Sequence, residues 1–196
     1  MSGTAHEIGS PSPWVCRWAR LVQPAGRVLD LACGHGRHAR YLSGLGFAVV
    51  AVDRDETALA TLEGRRGIET RLADLEGSAW PFAAGTFDGV VVTNYLHRPL
   101  FGNLVACLRA DGVLIYETFA AGNEQYGRPS NPEFLLRPNE LLQSLEPLAI
   151  VAFEQGMVST PKPAVIQRVC ALRGRAGRAS LEALAGAAGS TRIGLE

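Results

Sequence analysis

Asp30, Asp53 and Asp74 each fall at the carboxyl end of a short apolar run. After the first comes Ala32-Cys33-Gly34-His35-Gly36, a turn whose glycines lack side chains and tolerate positive φ, so backbone there can approach a ligand closely. A helix that follows such a turn points its first amides at an anionic group, a phosphate or a carboxylate. Asp53 stands where an acidic residue can accept both hydroxyls of a ribose, and Asp74 where one can accept from the amino group of adenine. Helix capping would account for any one of these carboxylates, but not for all of them together with the glycines. The chemistry indicated is recognition of a nucleotide-type cofactor along one sheet edge.

Holding those residues on one rim requires parallel strands alternating with helices. Trp14, Trp18, Leu21 and Val22 have helical spacing, ending before Pro24. Strands are predicted over residues 27–31, 47–52, 70–73, 87–93 and 112–117, with helices over 37–45, 56–63 and 100–108. The segment 121–138, rich in Gly, Asn and Pro, is too long for a simple connection and reads as a substrate-side lid over residues 122–138. A helix over 138–145 and closing strands around 148–153 and 165–172, an antiparallel pair at the edge, complete the pattern. The fold class is α/β, a Rossmann-like three-layer sandwich with a mostly parallel seven-stranded sheet and an antiparallel edge strand. The expected organisation is a flexible arm over residues 1–13, one domain over 14–173 and a Gly, Ala and Arg rich tail of uncertain order over 174–196.

With 196 residues and 47% hydrophobic content the chain can bury one core but not two. Its formal net charge of zero gives no general attraction to nucleic acid or to an acidic membrane surface, so neither is an expected partner. Cys16, Cys33, Cys107 and Cys170 form no ligand-spaced group, so no metal site is expected and the thiols read as reduced. The polar amino terminus and the lack of a bilayer-length apolar run point to a cytoplasmic protein.

The stretch VLDLACGHGRHARYL, residues 28–42, resembles the first motif of the class I S-adenosylmethionine-dependent methyltransferases, acid-x-Gly-x-Gly-x-Gly, with Ala32 in place of the first glycine. The likeness runs from about residue 28 to residue 172. It implies that Asp30 and the backbone near Ala32, Gly34 and Gly36 hold the methionine portion of S-adenosylmethionine, Asp53 the ribose, and Asp74 with the Leu75 amide the adenine. Asn94 falls where the family places contacts near the sulfonium, and Arg37 and Arg54 complete the expected cofactor set. Residues 117–142 are similar to the tellurite-resistance methyltransferases, a likeness of architecture more than of substrate.

In TNYLHRPLF, Asn94, Tyr95, His97 and Arg98 could reach the methyl side of the cleft, and Tyr95 and His97 are the catalytic candidates. His97 suits a general base because its ordinary pKa lies near neutrality; the alternative is a structural histidine. Glu117 could serve the same end or pair with an arginine, and His35, His38 and Arg37 would tune the cofactor turn and contact a carboxylate, with His6 in the arm uninvolved. Trp14 and Trp18 either cover the adenosine or pack in the core; Arg128 and Arg137 either bind an anionic substrate or face solvent. The expected acceptor is a small molecule, since the amino-base motif Asn-Pro-Pro-Tyr is missing.

Two other functions fit parts of this pattern. Gly34, Gly36 and Ala39 approximate the dinucleotide motif of NAD(P)-dependent oxidoreductases, against which stand Asp30 inside a turn that would repel a pyrophosphate, the extra acid Asp74, and no room for a substrate domain. A non-catalytic cofactor-binding sensor or partner subunit would share the site without the chemistry.

Overall fold

The computed structural model describes residues 9–174. The parts of the expected arm and tail at 1–8 and 175–196 lie outside the described residues. Strands β1 (Arg27–Leu31), β2 (Ala48–Asp53), β3 (Ile68–Leu72), β4 (Phe87–Thr93), β5 (Leu108–Phe119), β6 (Ala149–Val158) and β7 (Ala164–Leu172) form one sheet in the order β3-β2-β1-β4-β5-β7-β6. The chain runs outward from β1 to β3, then returns to place β4 on the other side of β1. That reversal opens a crevice at the carboxyl ends of β1 and β4, the usual ligand position in open α/β sheets.

Alternation along each strand builds a core on each face. Val28, Val49, Ala51, Val91 and Ile115 pack on one side with residues of α1 (Pro13–Trp18), α2 (Arg37–Gly44) and α3 (Glu56–Ala60). Leu29, Leu31, Val50, Val90, Val92 and Leu114 pack on the other with Phe101 and Leu104 of α4 (Phe101–Cys107) and Leu141 of α5 (Glu140–Ser144). Continuous apolar strands are the consequence of burial on both faces.

Several boundaries differ from the sequence expectation for identifiable reasons. β5 begins earlier than residue 112 because an irregularity in its pairing with β4 lets Leu108 join the ladder opposite Phe87. β7 is antiparallel to both β5 and β6, so the reversed strand lies inside the predicted pair and β6 occupies the edge. No helix occupies residues 73–86; edge-on contacts of Trp80 with Phe82 (5.3 Å) and Phe82 with Phe87 (5.1 Å) cover that part of the sheet instead.

α1 starts where Ser12 accepts from the Trp14 amide at 3.1 Å and Pro13 occupies the first turn. Trp14 and Trp18 are 2% and 3% exposed and pack edge-on at 5.5 Å, so they belong to the core and do not cover a cofactor. The flexible arm expected up to Pro13 therefore does not include Ser12, which is buried and hydrogen bonded. Among the described residues no helix is long and apolar enough to cross a membrane.

Candidate active site

Beyond β1 the chain turns through left-handed backbone at Ala32 (φ 51°), Gly34 (φ 51°) and Gly36 (φ 74°). Three amides fix this path: Cys33 donates to the Val52 carbonyl at 3.0 Å, Gly36 to the Cys33 carbonyl at 2.9 Å, and Gly34 to Asp53 Oδ2 at 2.7 Å. A Cβ on Gly34 would meet nothing within 4 Å, so this side of the turn is open to a ligand. A Cβ on Gly36 would stand 2.5 Å from the Leu62 methyls. Gly36→Ala should thus cost about 1–3 kcal/mol in urea unfolding, because left-handed backbone and a displaced buried leucine both oppose it. An unchanged midpoint would mean that the turn tolerates a side chain. α2 begins after Gly36 without a side-chain cap, and the Ala39 amide in its first turn is bonded to Asp30.

Asp30 is 1% exposed, and its Oδ2 has no hydrogen-bond partner among the described residues. Burial raises its pKa from 3.8 to about 7; the Ala39 amide and Arg37 pull it down, and Asp53 pushes it up. An orphaned buried carboxylate oxygen beside an open glycine turn fits a cationic, hydrogen-bonding ligand group such as the ammonium of S-adenosylmethionine. The chain's residues fit that cofactor.

Asp53 ends β2 with both oxygens engaged, Oδ2 by Gly34 and Oδ1 by the Asp55 amide at 3.0 Å, so it shapes the turn as well as lining the cleft. Asp74 is exposed and accepts from the Glu76 amide at 3.0 Å; that bond and one from Gly77, then the nearby charges of Arg54 and His97, keep its pKa below the usual range. Leu75 is buried beside it. Arg37 lies within electrostatic reach of Asp30, and Arg54 of Asp74 and Tyr95.

Past β4, Asn94 is exposed in left-handed backbone (φ 54°), and its amide donates to the Glu117 carbonyl at 2.9 Å. The Tyr116 hydroxyl donates to the Tyr95 carbonyl at 2.8 Å and fixes the backbone there. Burial, then Glu76, push the Tyr95 phenol above its ordinary pKa. His97 is half-buried next to Asp74.

Other candidates are committed elsewhere. Arg98 does not reach the methyl side: its Nε and Nη2 fork onto Glu140 at 2.6 and 3.0 Å, and its remaining donors go to the carbonyls of Glu133 and Leu135. Glu117 takes a hydrogen bond from Ser12 and pairs with Arg168 at 3.2 Å, the arginine-pairing alternative. His38 contacts the Ser12 amide and Thr93 and no carboxylate. Arg128 and Arg137 are exposed. Cys33, Cys107 and Cys170 are buried free thiols and Cys16 a half-buried one; no metal-holding group occurs among the described residues.

Glu76, Ser12 and Glu140 had no place in the sequence reading of the site. Ser12 was open to detection, since Ser followed by Pro ahead of an apolar helix is a helix-start signature. Glu76 and Glu140 carry no local signal.

A seven-stranded sheet of this order, with a glycine turn after β1 and carboxylates at the end of β2 and just past β3, is the fold of the class I S-adenosylmethionine-dependent methyltransferases. Residues 28–112 match the family model for a methyltransferase domain. In structure the chain is similar to TehB from Haemophilus influenzae, with a TM-score of 0.71 at 21% identity over 83% of this chain and 62% of that one. It is also similar to an S-adenosylmethionine-dependent methyltransferase from Mesorhizobium loti, with a TM-score of 0.67 at 19% identity over 85% of this chain and 100% of that one. In sequence it is 39% identical over 99 residues to protein-L-isoaspartate O-methyltransferase 2 of Rhodopseudomonas palustris, covering 48% of this chain and 45% of that protein. It is 37% identical over 65 residues to the probable methyltransferase TehB of H. influenzae, covering 31% of this chain and 22% of that protein. The chain thus spans less than half the length of these sequence relatives.

Proposed function

We propose that the protein transfers the methyl group of S-adenosylmethionine to a small-molecule acceptor. The observation that carries the cofactor assignment is the buried, unpartnered Asp30 oxygen beside the open turn at Gly34. In this reading Asp30 and the turn at Ala32, Gly34 and Gly36 bind the methionine portion, with Arg37 at the carboxylate. Asp53 binds the ribose, Asp74 and the Leu75 amide bind the adenine with Arg54 alongside, and Asn94 lies near the sulfonium. Bound S-adenosylmethionine supplies a methyl group on sulfur for in-line displacement.

Tyr95 and His97 then divide the acceptor chemistry. Tyr95, a phenol at neutral pH, orients the acceptor as a hydrogen-bond donor. His97 takes the acceptor's proton as the methyl transfers. The segment 122–138 serves as the acceptor-side cover, with the Ala120 to Leu136 bridge near its base. This cover favours a small acceptor. The free thiols suit a cytoplasmic setting, and the neutral charge gives no reason to invoke nucleic acid.

A carboxylate on a protein is the second reading, favoured by the identity with the isoaspartate methyltransferase. Incubation with methyl-labelled S-adenosylmethionine and either a metabolite filtrate or an isoaspartyl peptide separates the two. Label in small molecules alone supports the first reading; label in the peptide replaces it. For the cofactor, stabilisation by NAD or NADP and not by S-adenosylmethionine would reverse the assignment. Asp53→Ala should weaken S-adenosylmethionine binding by about tenfold or more in calorimetry, through the lost ribose contact and the loosened Gly34 amide. Unchanged affinity in a folded variant removes Asp53 from that role.

A further inference from the structure

We infer that His38 is a positioning residue through which the segment entering α1 and the cofactor turn hold one another in place, an inference that rests on the cofactor reading above. His38 is the second residue of α2, two positions after Gly36, and is 2% exposed. Its Nε2 lies 3.0 Å from the Ser12 amide and its Nδ1 3.3 Å from Thr93 Oγ1. An amide nitrogen only donates, so Nε2 carries the lone pair and the proton sits on Nδ1, which donates to Thr93. Burial, then Arg37, lower the pKa of His38 to about 3, so this neutral tautomer persists across the working pH range. With both nitrogens engaged, His38 is no general base.

Ser12 extends the link, because its hydroxyl donates to Glu117 Oε1 at 2.8 Å. Thr93 and Glu117 are register partners at the carboxyl ends of β4 and β5, and the next residue after Thr93 is Asn94. One residue ahead of α1 is therefore bonded directly to α2 and β5 and, through the imidazole, to β4. All of these contacts lie on the sheet edge that carries the cofactor turn. Ordering of that turn around a ligand is transmitted through His38 to Ser12, so the entering segment tightens with it and walls the cleft.

Hydrogen exchange with S-adenosylhomocysteine as the probe tests this coupling. In the wild-type protein the ligand should slow exchange about tenfold or more at residues 34–40 and also at the amides of Ser12 and residues 14–16. In His38→Ala, protection should shrink to residues 34–40 and affinity for the probe should fall about fivefold to tenfold. His38→Gln, whose carboxamide oxygen can accept from the Ser12 amide, should restore much of both. Ser12→Pro removes the same amide donor at a φ of −57° that proline adopts, and with it the hydroxyl that bonds Glu117 and the Trp14 amide; compared with Ser12→Ala, which removes the hydroxyl alone, it should show the further loss of protection at residues 14–16 that belongs to the His38 contact. It decides the matter if His38→Ala does not fold. Protection at Ser12 and residues 14–16 that survives loss of the contact, or is missing in the wild type when the probe binds, overturns the inference. Failure of the wild type to bind the probe at all, read by calorimetry, overturns the cofactor reading as well, and so differs from failure of the coupling alone.

Discussion

Asp30→Asn is expected to make the ligand-free protein more stable at pH 8 while abolishing its thermal response to S-adenosylmethionine. The carboxyl group has a pKa of about 7 in the folded chain against an ordinary 3.8, so the folded state holds the proton more tightly. Well below pH 3.8 both states are protonated and the ionisation of Asp30 costs nothing. As pH rises toward 7 the unfolded state loses the proton first, and the cost to folding grows until it is complete above pH 7. At about 1.4 kcal/mol per pH unit the full cost is about 4 kcal/mol. The asparagine amide is itself costly to bury, which leaves a net gain of about 1–3 kcal/mol and a Tm rise of roughly 3–10 °C at pH 8. The gain should shrink as pH falls toward 4. With ligand at a hundred times its Kd the wild type should gain about 2.7 kcal/mol; the variant, lacking an ionisable partner for the ammonium, should gain almost nothing at that concentration. Scanning calorimetry at pH 5 and 8 measures both effects. A variant that is no more stable than wild type at pH 8 would show that Asp30 is not held at a cost, and one that responds normally to the ligand would remove Asp30 from the site.

Arg98→Ala should destabilise the fold by about 2–4 kcal/mol, roughly 5–12 °C in Tm, although Arg98 lies next to the proposed base. The substitution removes a forked ion pair to Glu140 and the clasps on the Glu133 and Leu135 carbonyls, leaving a buried carboxylate with only the Arg137 amide. Burial by itself would raise the pKa of Glu140, but hydrogen bonds from Arg98 and Arg137 outweigh it and hold the pKa below the usual glutamate value. This contribution is full above the ordinary glutamate pKa of 4.5 and is lost as pH falls through the lower folded value. The alanine variant should therefore show a shallower loss of stability on acidification than wild type. Lysine should recover little, because a point charge cannot fork onto the carboxylate and reach the carbonyls as well. Since the same contacts fasten residues 133–140, kcat/KM should fall more than cofactor affinity. Equal stability of Arg98→Ala and wild type in urea would reduce the clasp to a surface contact.

These two residues also mark how far the chain could be read in one dimension. Asp30 was legible as a cofactor-site candidate because a strand ending in an acid before Gly34 and Gly36 is a local pattern. Its elevated pKa was not, since that depends on how completely the packed elements exclude water against the opposing pull of the Ala39 amide and Arg37. Arg98, beside His97, could reach the methyl side as judged by proximity in sequence; its partner lies 42 residues on. His38 likewise takes its partners from residues 26 and 55 positions away.

Hydrophobic periodicity and punctuation by Gly and Pro act over a few residues, so they place the strands, the glycine turn and the helices that alternate with them. β4 was read to both of its ends, because seven apolar-rich residues bounded by turns admit little else. Strand order was open to topology rules, but the insertion of β7 between β5 and β6 and the aromatic cover over residues 73–86 were not, since each depends on which surface remains to be buried once the other elements have packed. The identity of the cofactor edge is local chemistry on successive strand ends. Which of the nearby histidines and arginines face the cleft, and which are spent on holding the fold together, is settled only when distant segments meet and compete for the same hydrogen bonds.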